Sequence, residues 1–136
     1  MAEGDGLIYN GFKKYVMDGV LDLDTAGDTI QTTLHTAYSP DIDAHDVWAD
    51  GGVSSTEYGT TGGYTAGGQA LAGQGTTKNT SADRGEYDGT DETWTSLGAL
   101  SPATPSDCIH WDTTPAATPT DPLIAYWELG TWGSRL

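Results

Sequence analysis

Leu123-Ile124-Ala125-Tyr126-Trp127-Glu128-Leu129 is the one continuous apolar run in the chain. Bounded by Pro122 and Gly130, it has the length of a strand. A run without polar alternation is what a strand covered on both faces requires, so it predicts a central strand. Three segments upstream are punctuated in the same way by Gly, Pro and Asp: Gly85-Glu86-Tyr87-Asp88, Glu92-Thr93-Trp94-Thr95-Ser96-Leu97 and Cys108-Ile109-His110-Trp111-Asp112. Residues 85–130 are therefore expected to form the main strand-rich part, with the Pro/Ala/Thr segments 101–105 and 115–122 as connections.

The N-terminal half is patterned differently. Leu7, Ile8, Phe12, Tyr15 and Val16 fall near a helical period, which predicts one helix over residues 7–18 with Gly19 as its stop. Val20-Leu21-Asp22-Leu23-Asp24 alternates as a half-exposed strand would, and residues 29–36 alternate again, with Ile30, Thr32 and Leu34 on one face. Residues 37–52 are too acidic and irregular for a core strand and read as a long loop with one helical turn. Residues 53–80 are rich in Gly, Thr, Ser and Ala, and either weak strands or a flexible arm fits them. The expected fold is mainly β (α+β): one N-terminal helix on a small antiparallel sandwich or barrel-like sheet, with long Gly/Thr-rich loops. Residues 1–136 are read as a single domain.

Composition limits what such a fold can do. Ile, Leu, Val and Phe number only 20 of 136 residues, against a net charge of −15. That is below the roughly one-fifth at which a charged chain is suspected of disorder. Five Trp and seven Tyr offset the shortage, because each can bury roughly 150–250 Å². The 20 acids against five Lys and Arg make nucleic acid and anionic membrane surfaces poor partners. Cys108 has no second cysteine for a disulfide, and no basic and apolar leader or long apolar span is visible.

No constellation carries convincing chemistry. Asp22, Asp24 and Asp28 with Gly27 resemble the start of a calcium loop, but Thr33 stands where a bidentate Glu is needed. Asp41, Asp43, His45 and Asp46 form a denser cluster that a cation or a partner's lysines could meet. These six aspartates are the weak metal candidates, and the plain reading is solvated loop acids. Cys108 and His110 share a strand face, too few for a structural zinc and without a third group for a nucleophile pair. Gly68 and Gly73 have phosphate-loop spacing, but Gln74 stands in place of the lysine. No catalytic residue and no cofactor is expected.

Several segments in order nevertheless look familiar: Leu7-Ile8-Tyr9-Asn10-Gly11-Phe12-Lys13-Lys14, Asp18-Gly19, Leu21-Asp22-Leu23-Asp24-Thr25, Asp28-Thr29-Ile30 and Leu34-His35-Thr36. The order continues through Tyr38-Ser39-Pro40-Asp41-Ile42-Asp43-Ala44-His45-Asp46, Gly63-Tyr64-Thr65-Ala66-Gly67-Gly68, Trp94, and residues 122–130. The set resembles a family of small structural proteins of tailed bacteriophages. The resemblance implies a virion component made in the host cytoplasm, a decoration or cement protein on the capsid surface. Its partners would be the major capsid protein and neighbouring copies of itself, as a homo-oligomer or through lattice contacts. Family members continue past the motif at Leu129-Gly130 with a further strand, so an open edge beside residues 123–129 is expected here.

Under that reading the docking anchors are aromatic, and Trp48, Tyr58, Tyr64, Trp94, Trp111 and Trp132 are the candidates. The rival is a head-fibre or tail adhesin that stacks host-surface glycans on the same rings. A hydrolase is a distant third, for want of a nucleophile with a partner base.

Overall fold

The computed structural model describes residues 6–24, 27–95, 97, 105–114 and 119–129. The chain is mainly β. The strands are β1 (Gly6–Ile8), β2 (Ile30–His35), β3 (Gln69–Ala70), β4 (Gly75–Asn79), β5 (Arg84–Asp88), β6 (Asp107–Asp112) and β7 (Leu123–Glu128), with helices α1 (Asn10–Met17) and α2 (Val53–Thr56). Five strands form an antiparallel sheet in the order β1-β7-β6-β2-β3, and β4 and β5 form a separate two-stranded ribbon. The larger sheet runs between two short edge strands and does not close into a barrel.

The apolar run from Leu123 lies inside this sheet, as expected of a two-face strand. It pairs with β6, and on its other side Leu7 opposes Tyr126 and Ile8 opposes Ala125. Tyr9 N–H extends the ladder to Ile124 O at 3.2 Å. The expected open edge is therefore overturned: β7 is paired on both sides within its own chain. The outer edge of β2 is likewise covered, by β3 and by Tyr58 N–H donating to Leu34 O at 3.1 Å.

The N-terminal helix is shorter than its period predicts. Leu7 and Ile8 belong to β1, and α1 begins at Asn10, because the backbone groups of residues 6–8 complete the β7 ladder before the helix starts. Gly19 does end it: at φ +68° it lets Val20 N–H reach Tyr15 O at 2.9 Å and Gly19 N–H reach Val16 O at 3.1 Å. Residues 20–24 form no strand despite their alternation. Only Leu21 is buried there, and the backbone instead closes a loop, with Asp28 N–H donating to Asp22 O at 2.7 Å. Residues 92–95 are also not a strand, although Trp94 packs against the core.

Core residues lie on both faces of the sheet. On one, Ile109, Trp111, Leu123 and Tyr126 pack with Tyr9, Tyr38 and Val53. On the other, Ile30, Ile124 and Ala125 form one cluster, and Leu34, Tyr58 and Tyr64 another. Residues 53–80 hold α2 and the short strands β3 and β4. Gly62 and Gly63, both at positive φ, close a tight turn in which Thr61 and Tyr64 exchange backbone hydrogen bonds. Glu57 Oε1 then pins the segment, accepting from Tyr64 Oη at 2.7 Å and Gly67 N–H at 2.5 Å.

Candidate functional site

The aromatic anchors expected at an interface are mostly core residues. Tyr58, Tyr64 and Trp111 are buried, so they cannot serve as exposed anchors. Trp48 is half-buried and stacks on Trp111 with ring centroids 4.4 Å apart. Trp94 is half-buried against the Leu34 cluster. Trp132 lies outside the described residues. The reason is arithmetic: with so few aliphatics, the interior must be filled by rings.

The aspartate candidates organise loops. Asp22 Oδ1 accepts from Asp24 N–H at 3.0 Å, and Asp28 Oδ2 from Asp22 N–H at 2.7 Å. Asp41 Oδ1 accepts from both Asp43 and Ala44 N–H at 3.1 Å. Asp43 Oδ1 accepts from Asn10 Nδ2 at 2.5 Å, and Asp46 packs where Gly11 leaves room for it. Among the described residues no three His, Cys, Asp or Glu side chains gather as a metal site would require.

The histidines and the cysteine are drawn into packing. His35 is fully buried, its ring nitrogens bonded to Thr33 Oγ1 at 2.9 Å and Thr56 Oγ1 at 3.1 Å. Burial lowers its pKa to about 4, and does the same for His110, which lies against Trp127 with ring centroids 4.4 Å apart. Burial, reinforced by Glu92 and Asp107, pushes the Cys108 thiol up to about 12. A thiol so placed is not a nucleophile near neutral pH. Tyr38 joins a buried chain instead, bonded to Tyr9 Oη at 3.0 Å and to His45 Nδ1 at 2.7 Å.

One cavity, of about 330 Å³, opens on the face of the sheet that carries Cys108 and His110. Its floor is Thr32, Cys108, His110 and Trp127, which stand on β2, β6 and β7; Thr32 is paired with His110, and Cys108 with Trp127. Its wall is the chain leaving the ribbon, from Tyr87 through Asp88, Asp91 and Glu92 to Trp94, closed by Leu71 and Leu129. That wall is tied down by Thr90 N–H donating to Ala72 O at 2.7 Å and Gln69 Nε2 to Thr93 O at 3.3 Å.

The lining is chemically unbalanced. Thr32 Oγ1, Tyr87 Oη and Trp94 Nε1 are buried without a hydrogen-bond partner, and all three belong to residues of this cavity. Each such group costs about 1–3 kcal/mol when left unmet. Burial also raises the Glu92 carboxyl above its ordinary value and Tyr87 to about 12. No local motif marks this site, because its members are residues 32, 71, 87–92, 94, 108, 110, 127 and 129. The regular spacing of Cys108 and His110 on one strand face was the single legible part.

Compared with known proteins, the chain matches no family model, no curated protein and no solved structure. No helix among the described residues is long and apolar enough to cross a membrane.

Proposed function

We propose that this protein is a non-enzymatic structural component of a virion, decorating the capsid surface by binding the major head protein and neighbouring copies of itself. The ordered resemblance along nearly the whole chain supports the virion setting. The observation that carries the adhesive role is the β4–β5 ribbon. Most of its residues are exposed, and it is held to the body by Tyr87, which packs against the Ile30 cluster, and by Gln74 Nε2 donating to Asp28 O at 2.6 Å.

A two-stranded ribbon is marginal alone, so one that extends from a body gains most of its order when a neighbour covers it. This ribbon bears Lys78 and Arg84, two of the five cationic residues on a chain of net charge −15. Glu86 and Asp88 balance them, so the ribbon is neutral within an acidic chain and meets a neighbouring copy with less repulsion than the rest of the surface, while the acidic body suits an outer shell better than contact with genome. The inward turn of His35, His110 and Cys108 supports adhesion over catalysis.

Image reconstruction of intact particles tests the proposal. Regular density for this chain over the head is expected, with the ribbon against a neighbouring subunit. Density confined to the tail, or none, overturns it.

A further inference from the structure

We propose that Asp112 and Asp28 form a proton-operated latch that holds the root of the β4–β5 ribbon against the sheet. The inference concerns how the ribbon is attached and holds whatever the ribbon meets. Asp112 ends β6, opposite Ile30, and is fully buried. Its Oδ1 accepts from Thr114 N–H at 2.8 Å, while Oδ2 is buried with no donor of its own. The side chain that faces it is a second acid, Asp28. The ends of β2 and β6 bring the two together: Thr113 N–H donates to Thr29 O at 3.0 Å, and Thr29 N–H donates to Thr114 Oγ1. Two ionised carboxylates can only accept, so they cannot bond to each other. One proton between them gives the orphaned oxygen its partner and removes one of two like charges. Asp28 Oδ2 already accepts from Asp22 N–H at 2.7 Å, which makes Asp112 the carrier of the proton.

The proton has a mechanical consequence. Asp28 lies on the loop that grips the ribbon root: Gln74, buried just before β4, donates from Nε2 to Asp28 O at 2.6 Å and to Asp24 O at 3.3 Å. Tyr87 on β5 is the ribbon's other hold, and it too faces Asp112, with its hydroxyl buried and unpartnered. None of these groups offsets a second carboxylate. Asp22 and Asp24 on the same loop are acids, burial keeps the Tyr87 hydroxyl protonated, and His110, two residues back on β6, is neutral because burial lowers it to about 4. Burial, with Asp28 beside it, raises Asp112 to about 7. Above that pH two charges share a buried site. Asp112 is fixed in the sheet, whereas Asp28 is only half-buried, so the loop relieves the repulsion by swinging towards water. That movement breaks the Gln74 bonds and loosens the ribbon.

The test uses the full chain and trypsin, whose target residues Lys78 and Arg84 lie on the ribbon. Cleavage there is followed at pH 6 and pH 8 in the parent and in Asp112→Asn, whose amide donates to Asp28 at either pH and still accepts from Thr114 N–H. Dividing the parent's rate by the variant's at the same pH removes the protease's own pH dependence and that of every other titratable group. This ratio should rise about tenfold from pH 6 to pH 8, as a carboxyl that titrates at about 7 when latched and about 4 when released requires. Asp28→Asn, whose amide can donate to an ionised Asp112, should behave as Asp112→Asn does, and it becomes the reference if Asp112→Asn fails to fold. In the parent, the ¹³Cγ resonance of Asp112 should titrate near pH 7. The proposal is overturned if the ratio is the same at both pH values, if both amide variants follow the parent, or if the Asp112 resonance titrates below pH 5.

Discussion

Strand β6 and the β4–β5 ribbon are both antiparallel and similar in strand length, yet they are held by different forces. In β6, five of six residues are buried, Ile109 completely, and neighbours pair along both edges. In the ribbon, Thr76, Thr77 and Lys78 are exposed, and each strand has one partner. β-propensity places a strand, but burial makes it stable. Pairing supplies the ribbon's hydrogen bonds, whose net value in water is small, whereas β6 adds the transfer of apolar surface from both faces. The sheet is therefore expected to define the global unfolding unit and the ribbon to open below it.

Ile109→Ala should cost about 3 kcal/mol, read by urea denaturation, because a cavity opens where packing is complete. A loss comparable to a surface change would show that β6 is not the centre of the cooperative unit.

Acid sharpens the same contrast. His35 and His110 have pKa values lowered to about 4, so the stability from keeping them neutral is present above pH 6.5 and is lost as pH falls towards 4. Asp112, fully buried on β6, works the other way. Burial, with Asp28 nearby, raises its pKa to about 7, so its contribution is present at pH 4 and is lost as pH rises to 7. Two imidazoles against one carboxyl should leave a net loss of about 2 kcal/mol between pH 6.5 and 4. Asp112→Asn, which can still accept from Thr114 N–H, should steepen that fall, as followed by denaturation at each pH.

At the weak end, replacing residues 77–86 with Asn-Gly should shift the sheet's unfolding by about 1 kcal/mol or less, since the replaced segment leaves Tyr87 in place. Hydrogen exchange in β6 and β7 should remain as slow as in the parent. The smallest effect is expected from Arg84→Ala. Its ion pair with Glu86, 2.7 Å long, is largely exposed, and its loss should cost about 0.5 kcal/mol or less by thermal melting.

Buried strands are legible in the sequence and the elements that depend on distant partners are not. Strands β2, β6 and β7 announced themselves, because apolar residues there either alternate or run on between Gly, Pro and Asp. The junction of β1 and α1 did not, since Leu7, Ile8 and Phe12 fit a helical period as well as a short strand followed by a helix. What decides is the unpaired edge of β7, a partner more than a hundred residues away. Residues 20–24 show the converse: correct alternation, yet their backbone closes the Asp22–Asp28 loop instead of joining a sheet. The aromatic residues were visible but misplaced outward, and the cavity was invisible because its polar groups meet only through the register of three strands.

The stacked pair of Trp48 and Trp111, inclined by 18°, has an optical consequence. Two indoles this close share their electronic excitations, so their absorption and circular dichroism differ from those of isolated tryptophans. One ring rides on the long loop and the other on the middle strand of the sheet. The protein thus carries a native chromophore pair that would lose its signature when the loop lifts away, even while the sheet beneath it stays folded.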